Sequence, residues 1–91
     1  MPIIEADIKD VRPYAQGQLR LTLLGGKTVI LDVQDWIDIS PENHALQKPS
    51  EFMKGRISAS GGIEWDQGPY LSLFKIVQIF NIQHSKPKGS I

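Results

Sequence analysis

Apolar and polar positions alternate with a period of two along much of the chain, which is the signature of strands with one face in water. Ile4, Ala6 and Ile8 alternate with Glu5, Asp7 and Lys9, and Arg12-Pro13-Tyr14 is expected to end that strand. Leu19, Leu21 and Leu23 then alternate with Gln18, Arg20 and Thr22. Beyond Gly25-Gly26, Val29, Leu31 and Val33 alternate with Thr28, Ile30 and Asp32. Two such rows around a glycine pair predict a hairpin. Its register follows from the matching apolar faces, because a one-residue slip would turn both rows toward water. Ile57 and Ala59 resume the period, and Gly61-Gly62 is expected to return the chain through Ile63 and Trp65, with Glu64 and Asp66 on the opposite side. An indole is large enough to organise a small core and needs one acceptor for its N–H, so Trp65 is the expected keystone, delivered by the turn at Gly61 and Gly62.

Elsewhere the period changes. Gln34 to Ile39 fits one helical turn that lays Trp36, a second structural keystone, over the sheet. Ser40-Pro41-Glu42 combines a capping residue, a proline at the first helical position and an acid at the positive end of the dipole, and predicts a short helix to about Gln47. Pro49 to Gly55 repeats the device, with Ser50 as cap, Phe52 and Met53 turned inward and Gly55 as the stop. From Leu71 to Ile82, eight of twelve residues are apolar while Ser72, Lys75, Gln78 and Asn81 recur every third position. That spacing predicts a helix over roughly Ser72 to Asn81, although the β-branched Ile76, Val77, Ile79 and Ile82 would equally suit a buried strand. At 100° per residue the apolar side chains would spread around most of such a helix, more than one sheet can cover. Leu71, Phe74, Ile76, Ile79 and Phe80 are therefore the candidate surface for a protein partner or a homodimer. The expected fold is α+β: one domain over 1–83, an antiparallel sheet of about five strands with short helices packed on one face, a C-terminal helix, and a flexible tail over 84–91.

Composition narrows the function classes. Ninety-one residues suffice for one modest core. Ten basic residues against ten acidic ones give no sequence-wide positive excess, which disfavours nucleic acid as partner. The absence of cysteine removes disulfides, thiolate nucleophiles and thiolate metal sites, and favours the cytoplasm. No apolar run approaches the length of a membrane span or a signal peptide. His44 and His84 have no His, Cys or acid at ligand spacing, Gly61-Gly62 precedes a strand where a phosphate loop needs a helix, and Asp32, Asp35 and Asp38 lack the glycine turn and distant glutamate of a calcium loop. Glu64 and Asp66 share a strand face without a cleft in view to perturb them. Lys86 and Lys88 discriminate nothing. No catalytic, cofactor-binding or metal residue is assigned, and no small-molecule ligand is named.

Taken in order, Ile8-Lys9-Asp10-Val11 with Pro13, Leu19 to Leu23, Gly26-Lys27, Leu31-Asp32-Val33, Leu46 with Pro49 and Phe52, then Ser60-Gly61-Gly62-Ile63-Glu64-Trp65 and Gly68 carry a resemblance. Over about residues 4–73 the chain resembles the small bacterial domain of unknown function 2442, and the Gly-Gly-Ile-Glu-Trp run is its most specific part. The resemblance implies a compact α+β domain of unassigned activity. It also implies a two-gene unit with another small protein, reminiscent of toxin and antitoxin pairs. After Gly68 the chain departs from the family pattern of Asp-Leu then Asp-Pro, and Pro69-Tyr70-Leu71-Ser72-Leu73 stands instead. The expected function is a non-catalytic protein-interaction or regulatory module, with a nucleic-acid-associated, antitoxin-like regulator as the alternative and an enzyme of unknown class as the third possibility.

Overall fold

The leucine and valine rows pair as their alternation requires. Strand β2 (Gln18–Leu23) runs antiparallel to β3 (Thr28–Asp32), with Leu19 opposite Leu31 and Leu21 opposite Val29. The Gly26 N–H closes the turn on the Leu23 carbonyl at 3.0 Å. The computed structural model describes residues 3–66 and 68–84. It is an α+β fold with two three-stranded antiparallel sheets and a C-terminal helix.

The first strand differs from its expected form. Residues Glu5–Asp7 make one turn of 3-10 helix, closed by the Asp7 carboxylate on the Ile4 N–H, and β1 is Ile8–Ala15. Pro13 therefore lies inside a strand it was expected to end. The position tolerates it because β1 is the outer strand of its sheet and its register shifts just beyond Pro13, the two settings in which a strand accommodates a residue without an N–H.

The second sheet comprises β4 (Arg56–Ile57), β5 (Ile63–Glu64) and β6 (Tyr70–Leu71), with Ile63 between Ile57 and Leu71. One sheet of five strands was expected. Two sheets form instead, with β4 lying beside β1 but outside its ladder. A two-residue strand facing an irregular, proline-bearing edge offers too few aligned donors and acceptors to extend the pairing. Ile57 lies in β4 but is exposed, and Ala59 falls in the turn, so the apolar row expected through both does not form.

Between the sheets run α1 (Gln34–Ile39), a 3-10 helix (Pro41–Gln47) and the single-turn α2 (Pro49–Phe52). The proline starts are as expected, but neither Ser40 nor Ser50 caps with its hydroxyl. The Ser40 carbonyl accepts the Asn43 N–H, and Pro49 follows Lys48 in the cap position. Phe52 is fully buried, whereas Met53 points outward. Gly55 is more than a helix stop: a Cβ there would lie 2.6 Å from the Trp65 indole nitrogen, so its bare backbone makes room for the ring.

Helix α3 (Leu73–His84) begins after β6, with the Ser72 hydroxyl accepting the Lys75 N–H at 3.0 Å as the expected cap. It extends past Asn81 to His84, whose ring stacks on Phe80 with centroids 4.2 Å apart. The rest of the expected tail, 85–91, lies outside the described residues. The core joins Val11, Leu19, Leu21 and Leu31 to Ile37, Leu46, Phe52, Ile63, Trp65, Leu71, Ile76 and Phe80. Among the described residues no helix is long and apolar enough to cross a membrane.

Candidate interaction face

Trp65 is the keystone the sequence predicts. It is 4% exposed, its N–H donates to the Phe52 carbonyl at 2.8 Å, and Trp36 and Phe52 pack against it with centroids 5.8 and 5.7 Å away. Gly61 takes a φ of +97° in the turn before it. Gly62 serves differently from its neighbour: a Cβ there would run into the Leu71 carbonyl oxygen and come within 3.0 Å of the Ser72 Cα, so the glycine lets β5 approach β6.

The five candidate surface residues separate. Leu71 belongs to β6 rather than the helix, and Leu71, Ile76 and Phe80 are in the core. Ile76 and Phe80, spaced i and i+4, form the stripe that covers the sheets. Ile79 is half-buried and Phe74 is 62% exposed. The expected surface is thus contradicted at three positions, because the helix does have a single inward stripe. Its opposite side is still not polar, since Ile82 is 69% exposed.

The exposed part of α3 faces α1 across a groove of about 300 Å³, lined by Trp36, Ile39, Ile79 and Ile82 with Val33 beneath. Ile39 is 79% exposed. Asp32 and Asp35 stand on the α1 wall and Lys75 on the α3 wall, and among the described residues none of the three makes a salt bridge.

Local chemistry fixes both walls. The Asp32 carboxylate, one residue ahead of the Val33 cap position, accepts the first N–H of α1, that of Gln34, at 2.9 Å, and the Gln34 amide reaches Asp38 one turn on. Buried Asn43 donates to the Trp36 carbonyl at 3.1 Å. On the other wall the Gln83 amide donates to the Asp32 carbonyl at 2.7 Å, tying the end of α3 to the start of α1. The Asn81 side chain both accepts the Ile3 N–H at 2.8 Å and donates to the Ile3 carbonyl at 3.0 Å. Asn43 and Gln83 were not singled out in the sequence, and Asn81 only as a member of a polar row, because an amide side chain carries no sign of its distant partner.

A second hollow of about 330 Å³ lies between β1 and β4, bordered by Asp10, Arg12, Met53 and Arg56. Two of the three arginines of the chain, Arg12 and Arg56, share this hollow, and the third, Arg20, is the cross-strand partner of Arg12. Asp10 lies 2.6 Å from Arg12, while Asp66 and Glu64 lie 2.8 and 3.6 Å from Arg56. Asp10 thus answers Arg12 and two acids answer Arg56, while Arg20 makes no salt bridge among the described residues. Glu64 and Asp66 thus share a face as expected, and there they hold a guanidinium. The hydrogen bond that Arg56 donates to Asp66, and then the Asp66 charge, raise the Arg56 pKa; desolvation opposes them, and the Glu64 charge adds least. Stability from a raised cationic pKa is present below the unfolded value and lost only as pH climbs through the folded one. For arginine that window lies far above neutrality.

His44 and His84 lie apart on the 3-10 helix and at the end of α3. Asp32, Asp35 and Asp38 act in capping and amide contacts or face solvent, and among the described residues no three His, Asp or Glu side chains cluster to hold a metal ion. No protein-family model, curated protein or solved structure matches the chain.

Proposed function

We propose that the protein is a non-catalytic interaction module that binds another polypeptide through the groove between α1 and α3. The exposure of Ile39 and Ile82 on opposite walls of a groove already fixed by hydrogen bonds carries this reading. Scattered apolar side chains are ordinary on a protein surface, whereas a contiguous apolar floor with a polar rim is the form of a binding site. Because the walls are tied by Gln83 and Asn43, little ordering is needed on binding. A two-gene partner, as the resemblance implies, fits such a face. Arg12 and Arg56, held by Asp10, Glu64 and Asp66, offer less free charge to the nucleic-acid alternative than their number implies.

Two probes test the proposal: a second copy of the chain, followed by sedimentation, and the purified product of the adjacent gene, followed by co-purification. Binding to one of them is expected, with loss in Ile82→Glu and Ile39→Glu variants whose urea midpoints match wild type. Failure to bind either probe, or binding that survives both substitutions, overturns it.

A further inference from the structure

We infer that the outer edge of β3 pairs with β3 of a second copy, antiparallel and centred on Ile30, so that two three-stranded sheets join into one. The direction of the backbone groups carries the inference. The Val33 N–H donates to the Gly17 carbonyl at 2.8 Å and the Leu23 N–H to the Lys27 carbonyl at 2.7 Å, in the same register as the ladder between them. Odd-numbered positions from 27 to 33 therefore bond β2, and Thr28, Ile30 and Asp32 turn their N–H and carbonyl groups away from it. Among the described residues the one outward group with a partner is the Asp32 carbonyl, which accepts the Gln83 amide.

The two edges of this sheet differ. Strand β1 carries Pro13, two register shifts and β4 alongside, the features that keep a strand edge from pairing. Strand β3 has none of them: its register with β2 is unbroken, it holds no proline or glycine, and Ile30 is 39% exposed at its centre. Pairing β3 of one copy with β1 of the next would extend without closing and meets those obstructions, whereas β3 against β3 closes as a pair. A two-fold axis perpendicular to the sheet makes the strands antiparallel and leaves both apolar faces on one side. Centred on Ile30, it sets Ile30 against Ile30 and Thr28 against Asp32, hydroxyl beside carboxylate. Main-chain bonds then run both ways at Ile30 and from each Asp32 N–H to the opposite Thr28 carbonyl, while Gln83 keeps the Asp32 carbonyl. Neighbouring registers serve less well. Centring on Leu31 sets Ile30 against Asp32 and draws on the carbonyl that Gln83 holds, and centring on Val29 sets Asp32 against Gly26 in the turn. Edges of five residues bury less than a standard interface, so the dimer should be weak, with a Kd of roughly 100 µM.

Sedimentation and amide exchange test it together. Ile30 is exposed, so Ile30→Lys and Ile30→Glu should keep the wild-type urea midpoint, and each sets like charges face to face across the axis. Each variant alone should dimerise at least about tenfold more weakly than wild type, and an equimolar mixture should recover the dimer. Between about 10 µM and 1 mM wild type, amide exchange at Ile30 and Asp32 should slow by about fourfold while Val29 and Leu31 stay protected throughout. A wild type that stays monomeric at about 1 mM overturns the pairing. So does a variant that dimerises at full strength, or a mixture no stronger than its components. Slowing along α1 and α3 with none at Ile30, or a dimer that Ile82→Glu dissociates and Ile30→Lys does not, also overturns it and leaves the groove as the contact. Because Ile30→Lys removes the edge contact, the groove is tested in that background, and either reading can fail without the other.

Discussion

Two clusters of large apolar side chains meet at Trp36 and fare in opposite ways. On one side Trp36 packs on Trp65, which in turn packs on Phe52, in a cluster where the Trp65 indole N–H is satisfied and a glycine makes room for its ring. On the other, Trp36 joins Ile39, Ile79 and Ile82 in a groove that, among the described residues, no element covers. Hydrophobicity does not separate them. What does is the supply of covering backbone: the Trp65 cluster lies beneath α2 and the turn through Gly55, whereas β3, α1 and α3 form only the floor and walls of the groove. The closed cluster should therefore govern stability and the open one association.

Breaking the closed side should give the largest effect. Trp65→Ala is expected to lower stability by about 3–5 kcal/mol, read from urea midpoints; a loss under about 1 kcal/mol would mean that the ring is not central. Gly62→Ala follows. Its methyl group meets the Leu71 carbonyl, and such overpacking costs about 1–3 kcal/mol in the same measurement. Asn43→Ala acts where the clusters join. It leaves the Trp36 carbonyl without its donor, for a loss of about 1–2 kcal/mol and a change in tryptophan fluorescence.

On the open side, Ile39→Ser should shift stability by no more than about 0.5 kcal/mol while weakening association through the groove. An equal loss of stability and association would erase the distinction between the clusters. Smallest of all is Arg56→Gln. The ion pairs of this exposed side chain should be hidden by 150 mM salt on the order used in cells, with no resolved change in midpoint between pH 5 and 9.

These contrasts follow what the sequence makes visible. The hairpin of β2 and β3, the Ser72 cap, the burial of Ile63 and Trp65 and the turn at Gly61 all depend on near neighbours, and local spacing records them. The division into two sheets was not legible, because it depends on how β1 and β4 approach across more than forty residues of chain. For the same reason the face of α3 was misassigned. Apolar residues around its whole circumference concealed which stripe the sheets would take, and Leu71 was counted with a helix that starts two residues later. The charged walls of the groove come from segments some forty residues apart, and neither segment alone marks a site.

The two hydrogen bonds between Asn81 and Ile3 join positions 78 residues apart. Closing so long a loop is an entropic step that few other contacts share, so α3 should settle late in folding and open early from the native state. Amide exchange ought then to be faster along α3 than along β2, and replacing Asn81 with alanine should widen that gap. The groove wall would thus have a lifetime as well as a shape, set by an amide at the far end of the chain.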